Sequence, residues 1–247
     1  MIREVLHDIG SVTADYEAAA QISLSDVSKV FNPGKVQVSA LKNIDLKIRG
    51  NEFLAIIGPS GSGKSTMLNL IGCLDRPTAG RIEIDGENVV TMKANELARL
   101  RARKLGLIFQ SFNLIPVLTV GENVEYPLLL SNKVSSSKER RELVIDLLAQ
   151  LGIETLIDRW PNELSGGQCQ RVAVARALIS GPEIVLADEP TSNLDSKTGD
   201  ALIRMIRQIH EQKPITFIFS THDANLVGLA ERVVELRDGE ITDDVFA

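Results

Sequence analysis

The sequence predicts an α/β fold carrying a helical insertion, on three observations. Short apolar runs of strand character alternate with segments of helical period over 22–110 and again over 181–247. A glycine-rich loop joins one of those runs directly to a helix-competent segment. Between them, 111–180 loses the strand pattern and takes helical spacing.

Taken in order, 1–21 read as an N-terminal extension of unknown role. Ile2, Val5, Leu6 and Ile9 have the spacing of one helical face, but the segment is too short to be stable alone. Strands are expected at 22–30, 44–48 and 53–58, punctuated by Asn32-Pro33-Gly34 and Arg49-Gly50-Asn51. Further strands are expected at 81–85, ending at Asp85-Gly86, and at 105–109. In the insertion, Leu143, Val144, Leu147, Leu148 and Leu151 recur at helical spacing, and Gly152 is placed to stop that helix. Strand character returns at 183–188. A helix from Ser196 should then bury Leu202, Met205, Ile206 and Ile209 and end before Pro214, with a last buried strand at 215–220.

Composition narrows the function classes. The chain has 247 residues, of which 44 % are hydrophobic and 24 % charged, ordinary values for a folded domain with its own core. Its net charge of −6 opposes both a nucleic-acid backbone and direct adsorption to anionic lipid. No window is apolar enough to span a membrane, and 1–20 lack the basic and apolar regions of a signal peptide. Cys73 and Cys169 stand far apart, giving a disulfide or zinc framework little support. These features together predict a cytoplasmic protein.

The strongest motif is Gly58-Pro59-Ser60-Gly61-Ser62-Gly63-Lys64-Ser65, followed by Thr66, between an apolar strand and a helix. Glycines let the backbone wrap a polyphosphate and turn its N–H groups inward. Lys64 supplies a charge near the β- and γ-phosphates, and the Ser65 hydroxyl can ligate Mg²⁺. This predicts a nucleotide-binding protein.

Two further segments complete the chemistry. Ile184-Val185-Leu186-Ala187 is an apolar run ending in Asp188-Glu189, which places two acids at the ligand edge of an open α/β sheet. Asp188 suits the Mg²⁺ shell and Glu189 suits activation of the attacking water. Leu164-Ser165-Gly166-Gly167-Gln168 precedes another helix, whose N-terminus Ser165 can cap while the glycines expose its amides. One triphosphate does not need two such anion sites from a single chain, so the second points to a neighbour's nucleotide.

In this order, the phosphate loop, Leu164–Gln168, Asp188-Glu189-Pro190 and Ser192-Asn193-Leu194-Asp195 resemble the ATP-binding subunits of ABC transporters over roughly 22–241. Gly72–Gly80, 109–116 and 230–239 are similar to the branch that contains LolD, MacB and FtsE. The resemblance implies a P-loop NTPase (RecA-like) core with an antiparallel β subdomain and an inserted α-helical subdomain. It makes 22–247 a single ATPase domain, with RecA-like and β parts at about 22–110 and 181–247 and the helical insertion at about 111–180.

By the same resemblance, Phe31 stacks on adenine, Gln110 contacts Mg²⁺ and the water, and His222 contacts the γ-phosphate. Ser165, Gly166, Gly167, Gln168 and Asp195 reach a partner subunit's nucleotide. His7 and His210 receive no role. Departures from the family pattern are Cys169 where Gln is common, Ser192 in place of Gly, and the extension. The implied assembly is a homodimer around two Mg-ATP, driving a separate transmembrane permease that docks on 111–130, where Phe112, Leu114, Ile115 and Tyr126 lie. The chain would then sit on the cytoplasmic face of the plasma membrane without inserting into it. The implied use is export or extraction of a lipoprotein, lipid or drug-like substrate. The alternative is a mechanotransmitting ATPase of the cell-division kind, which would share every motif.

Overall fold

The computed structural model describes residues 20–32, 34, 37–131 and 133–246. The helix expected around Ile2–Ile9 lies outside them. The described residues divide into two compact units, one reaching to 97 and resuming at 214, the other 98–213.

The first unit holds two sheets. Antiparallel β1 (Ile22–Phe31) lies between β2 (Val38–Ile48) and β4 (Ala79–Ile84), with the short β5 (Glu87–Asn88) at the edge. Ile22, Leu24 and, past a register shift, Val27 give β1 one buried face. The other sheet sets β3 (Phe53–Ile57) between β8 (Thr216–Ser220) and β9 (Arg232–Arg237), both parallel to it, with antiparallel β10 (Glu240–Phe246) outside β9. β3 and β8 are buried at every position, as unbroken apolar runs between two covered faces require. Phe53, Phe217 and Phe219 pack there with ring centroids 4.7–5.8 Å apart. Helix α1 (Lys64–Ile71) follows β3 through the phosphate loop. Gln21 belongs to this framework, because its carbonyl accepts from Asp85 N–H and its side chain accepts from the Thr216 hydroxyl.

β9 and β10 escape the sequence reading. β9 begins on Arg232, a charge in a strand, and that residue is only 2 % exposed. It survives burial because its guanidinium grips Asp244 through two 2.7 Å bonds, donates to Glu52 and the Lys47 carbonyl, and lies under the Phe246 ring.

The chain enters the second unit within α2 (Ala94–Lys104). There β6 (Leu105–Ile108) pairs in parallel with β7 (Ile184–Asp188). Between them in sequence come α3 (Val120–Ser131), α4 (Ser137–Gln150) and α5 (Gly166–Leu178), and α6 (Ser196–Gln212) follows β7. α4 buries Val144, Leu147 and Leu148, whereas Leu143 is exposed, and Gly152 just past its end has a left-handed φ of 66°. The stripe expected on α6 is rotated. Its buried residues are Gly199, Leu202, Ile203, Ile206 and His210, while Met205 and Ile209 are half-buried. The observed set follows the 3.6-residue period over three turns, which a stripe chosen on apolarity alone cannot do because it omits Gly199 and His210. Among the described residues no helix is long and apolar enough to cross a membrane.

Candidate ATP site

In the first unit the phosphate loop grows from the C-terminal end of β3. Gly58, Gly61 and Gly63 have φ of 147°, 78° and 107°, backbone that side chains rarely tolerate. Two of these glycines are also walled in. A Cβ on Gly58 would lie 2.0 Å from the Leu236 carbonyl oxygen, and one on Gly63 would lie 2.5 Å from that of Ala40. Ser62 closes the loop by donating its N–H to the Pro59 carbonyl and accepting from Gly239 N–H. Its hydroxyl is buried without a hydrogen-bond partner.

Lys64 is 9 % exposed, and its ammonium donates to the carbonyls of Gly58 (2.8 Å) and Pro59 (3.1 Å). The cation is therefore pre-placed along the loop rather than free in solvent. Ser65 and Thr66 occupy the first turn of α1. Ser60 and Gly61 face solvent at the loop's tip.

β8 delivers His222 to the same edge. Ile56 pairs with Ser220, so His222 and Gly58, each two residues on, leave parallel neighbouring strands side by side. Asp223 then caps the short helix Ala224–Val227 and takes its own N–H bond to the Thr221 hydroxyl, fixing the turn that carries the exposed histidine. Phe31 ends β1 as an exposed residue, at 41 %.

In the second unit, Ile108 pairs with Ala187, so Gln110 and Glu189 emerge together from the ends of β6 and β7. Asp188 is half-buried, and Glu189 adopts φ 47°, a strained conformation for a non-glycine residue. The strain is held by Ser192, which donates both its N–H and its hydroxyl to the Glu189 carbonyl. Asn193 ties this turn to the other strand end by donating 2.7 Å to the Gln110 carbonyl. Arg176 secures the turn after Gln110 by donating to the carbonyls of Phe112 and Asn113, both left-handed in φ. Burial lowers the Arg176 pKa from its ordinary value. The sequence gives Arg176 no site role and Asn193 only a place in the Ser192–Asp195 motif. Their partners lie 63 to 83 residues away, and only Asn193's place inside a motif could have drawn attention to it.

The segment Leu164–Gln168 forms a reciprocal cap on α5. The Ser165 hydroxyl accepts from Gln168 N–H and the Gln168 side chain accepts from Ser165 N–H. Ser165, Gly166 and Gly167 line a cavity of about 450 Å³ with Asn193, Asp195 and Thr198. Asp195 caps α6, and its carboxyl titrates below the ordinary range because Thr198 donates to it from both hydroxyl and backbone. Cys169 is buried, and burial pushes its thiol pKa up, which argues for a packing residue.

The family model described as "ABC transporter" matches 41–192, more than half of the chain. The chain belongs to the ABC transporter family. It is an ATP-binding cassette with the α/β P-loop fold, an ATPase whose nucleotide is ATP with Mg²⁺. The cassette is 46 % identical over 222 residues to the uncharacterized ABC transporter ATP-binding protein MJ0796 of Methanocaldococcus jannaschii, covering 89 % of this chain and 94 % of that one. It is 47 % identical over 226 residues to the macrolide export ATP-binding/permease protein MacB of Brucella melitensis. That match covers 92 % of this chain but 34 % of MacB, so the cassette spans about a third of those larger relatives. A dimeric structure of a post-hydrolysis state of MJ0796, bound to ADP and Pi, superposes with TM-score 0.87 at 44 % identity, covering 91 % of this chain and 98 % of that chain. The LolD/MacB-like branch expected from the sequence is therefore the right one.

Proposed function

We propose that the cassette hydrolyses Mg-ATP in a head-to-tail homodimer and so drives a separate transmembrane permease, for export or extraction of a lipoprotein, lipid or drug-like substrate. The observation that carries the reading is the second anion-binding helix end. The capped α5 opens its glycine-flanked amides toward a cavity, although Gly58–Ser65 already supplies one chain with a complete phosphate cradle. A partner's γ-phosphate is the ligand such an end fits, with Ser165, Gly166, Gly167 and Gln168 around it and Asp195 at the subunit boundary. The dimeric MJ0796 cassettes support this assembly.

Within each site, the backbone of Gly58–Thr66 and the Lys64 ammonium hold the phosphates, and Phe31 stacks on the base. Ser65 in the first unit, and Gln110 and Asp188 in the second, carry the hard oxygen donors Mg²⁺ prefers, and a bound ion would screen phosphate charge. Glu189 accepts a proton from the attacking water, which the Gln110 side chain helps to place, and His222 steadies the γ-phosphate. Losing the γ-phosphate removes contacts from both subunits, and the dimer opens.

The permease reading rests on a groove of about 580 Å³ in the second unit, lined by Leu107, Tyr126, Leu130, Arg99, Arg101 and Arg176. Tyr126 and Leu130 come from the segment expected to dock, while the α2 arginines add a cationic rim. The ATP-binding/permease organisation of the MacB relatives supports such a partner, and with it a position on the cytoplasmic face of the membrane.

The deciding experiment is Glu189→Gln. Steady-state ATP hydrolysis should fall by at least about 100-fold, the usual scale for a general base. ATP-dependent dimerisation, followed by size-exclusion chromatography, should persist. Retained hydrolysis would remove Glu189 from its role, and a monomer with ATP bound would remove the shared site.

A further inference from the structure

Phe31 is assigned to the nucleotide by family pattern, yet an aromatic ring at an exposed strand end needs something to hold its plane. Lys29, two residues earlier on β1, has its side chain only 12 % exposed. Its Nζ lies 4.8 Å from the Phe31 ring centroid, over the ring. The same ammonium is 2.7 Å from Asp75 Oδ2 and donates 2.7 Å to the Arg76 carbonyl. All donors of this lysine are thus directed at one turn and one aromatic face.

That turn is not a passive anchor. It follows directly from α1, the helix the phosphate loop opens. Gly72 N–H donates to Leu68, and the N–H groups of Leu74 and Asp75 both donate to the Asn69 carbonyl, folding the turn back onto the helix. Cys73 makes this possible at φ 54°. The turn then reaches across to β1, where Thr78 N–H donates to the Ser28 carbonyl and Val30 N–H donates to the Thr78 hydroxyl. Arg76 pins its far side by donating to the carbonyls of Val90 and Met92. Burial acts to raise the Asp75 pKa, but the Lys29 hydrogen bond and charge and the Arg76 N–H outweigh it, so the carboxyl titrates below its ordinary value and stays charged.

We propose that Lys29 is a positioning residue for nucleotide recognition: anchored by Asp75, its ammonium occupies one face of the Phe31 ring and presents the opposite face to the base. This rests on the reading of Phe31 as the adenine platform. Two physical effects act together. A ring clamped on one face loses rotamer freedom before ligand arrives, so less is lost on stacking. A cation beneath the ring also draws on its π density, which favours an electron-rich purine on the other face. Because Asp75 sits on the turn that ends the phosphate-loop helix, the platform and the loop share one hydrogen-bonded frame.

The test separates base recognition from phosphate recognition. Binding of Mg-ATP and of magnesium tripolyphosphate, which has phosphates but no base, is measured by titration calorimetry on the full chain. Lys29→Met keeps the aliphatic stem and removes the charge. It should weaken ATP about two- to fivefold, the range of one exposed cation–π contact, and leave tripolyphosphate unchanged. Lys29→Arg should retain ATP affinity, and Asp75→Asn should show a smaller loss confined to ATP. In a Phe31→Ala background Lys29→Met should cost nothing further. Equal losses for both ligands, or a Lys29→Met loss that survives Phe31→Ala, would make Lys29 a structural or phosphate-directed residue and overturn the proposal. If Phe31→Ala weakens ATP while Lys29→Met and Asp75→Asn do not, the clamp alone fails. If Phe31→Ala leaves ATP affinity unchanged, the platform reading fails and the clamp with it.

Discussion

The two anion-binding ends of this cassette are built on opposite principles. The phosphate loop is held by what surrounds it: Leu236 and Ala40 carbonyls press on Gly58 and Gly63, and Ser62 is sewn to Gly239. The end of α5 is capped locally, through Ser165–Gln168, with Ser165 and Gly166 exposed, and only Gly167 is closed in, by the Thr198 methyl 2.5 Å from where its Cβ would lie. A ligand that stays with its own chain can be gripped by a closed, over-determined loop. A surface proposed to meet and leave a second subunit on every cycle needs amides exposed at its rim, which Ser165 and Gly166 supply. Substitutions at the first end should therefore act through the fold, and those at the second through the helix terminus.

Gly58→Ala should show the largest effect. It combines a φ of 147° with a Cβ placed 2.0 Å from a backbone oxygen that cannot swing away. A loss of about 3 kcal/mol or more in denaturant unfolding is expected. Gly61→Ala is the control within the same loop. Its φ is 78°, but a Cβ there meets nothing within 4 Å, so only the left-handed penalty of about 1–2 kcal/mol applies. Equal losses at the two positions would mean that backbone conformation alone, and not the Leu236 wall, holds the loop.

The same contrast explains what could be read from sequence. Gly58–Ser65, Leu164–Gln168 and Asp188-Glu189 are each a strand–turn–helix or cap signal contained in a few residues, and local signals survive without a structure. Arg232 illustrates what does not. The Val233-Val234 and Leu236 run before Asp238-Gly239 carries a strand and hairpin signal, but nothing near Arg232 in sequence announces its burial, because the Glu52 that neutralises it lies 180 residues away and Asp244 belongs to the next strand. Likewise α2 offers only Leu97 and Leu100 as a short buried pair at helical spacing, and nothing in it shows that Arg99 and Arg101 line the groove with Arg176. The α6 stripe is half right for a related reason: Leu202 and Ile206 are buried as expected, but His210 is buried and Ile209 is only half-buried, which apolarity alone cannot foresee.

Ser165→Ala tests the locally capped end at intermediate size. Removing the cap hydroxyl should cost about 1 kcal/mol of stability, read from the shift in urea midpoint at constant slope. Its consequence for ATP-dependent dimerisation should exceed that modest loss, since the same hydroxyl is proposed to face the partner's phosphate. A variant as stable as the parent would show that the glycine-flanked helix end needs no cap.

The smallest effect belongs to Asp195, and it is visible only through pH. Its carboxyl is stabilised in the charged form by the Thr198 hydroxyl and N–H, so its folded pKa lies below the value of about 3.9 expected of an unfolded aspartate. The sign follows from proton counting. Above the unfolded value both states are ionised and the full stabilisation is present. As pH falls through that value and then through the folded one, the unfolded chain takes up the proton first, and the stabilisation is lost. Asp195→Asn keeps an oxygen able to cap α6 but cannot titrate. Its unfolding free energy should fall less steeply than the parent's below about pH 4, with the two curves running parallel at neutral pH. Identical acid limbs would mean that the bonds from Thr198 do not distinguish the ionised carboxylate, and that this helix end, unlike the phosphate loop, is indifferent to the chemistry of its cap.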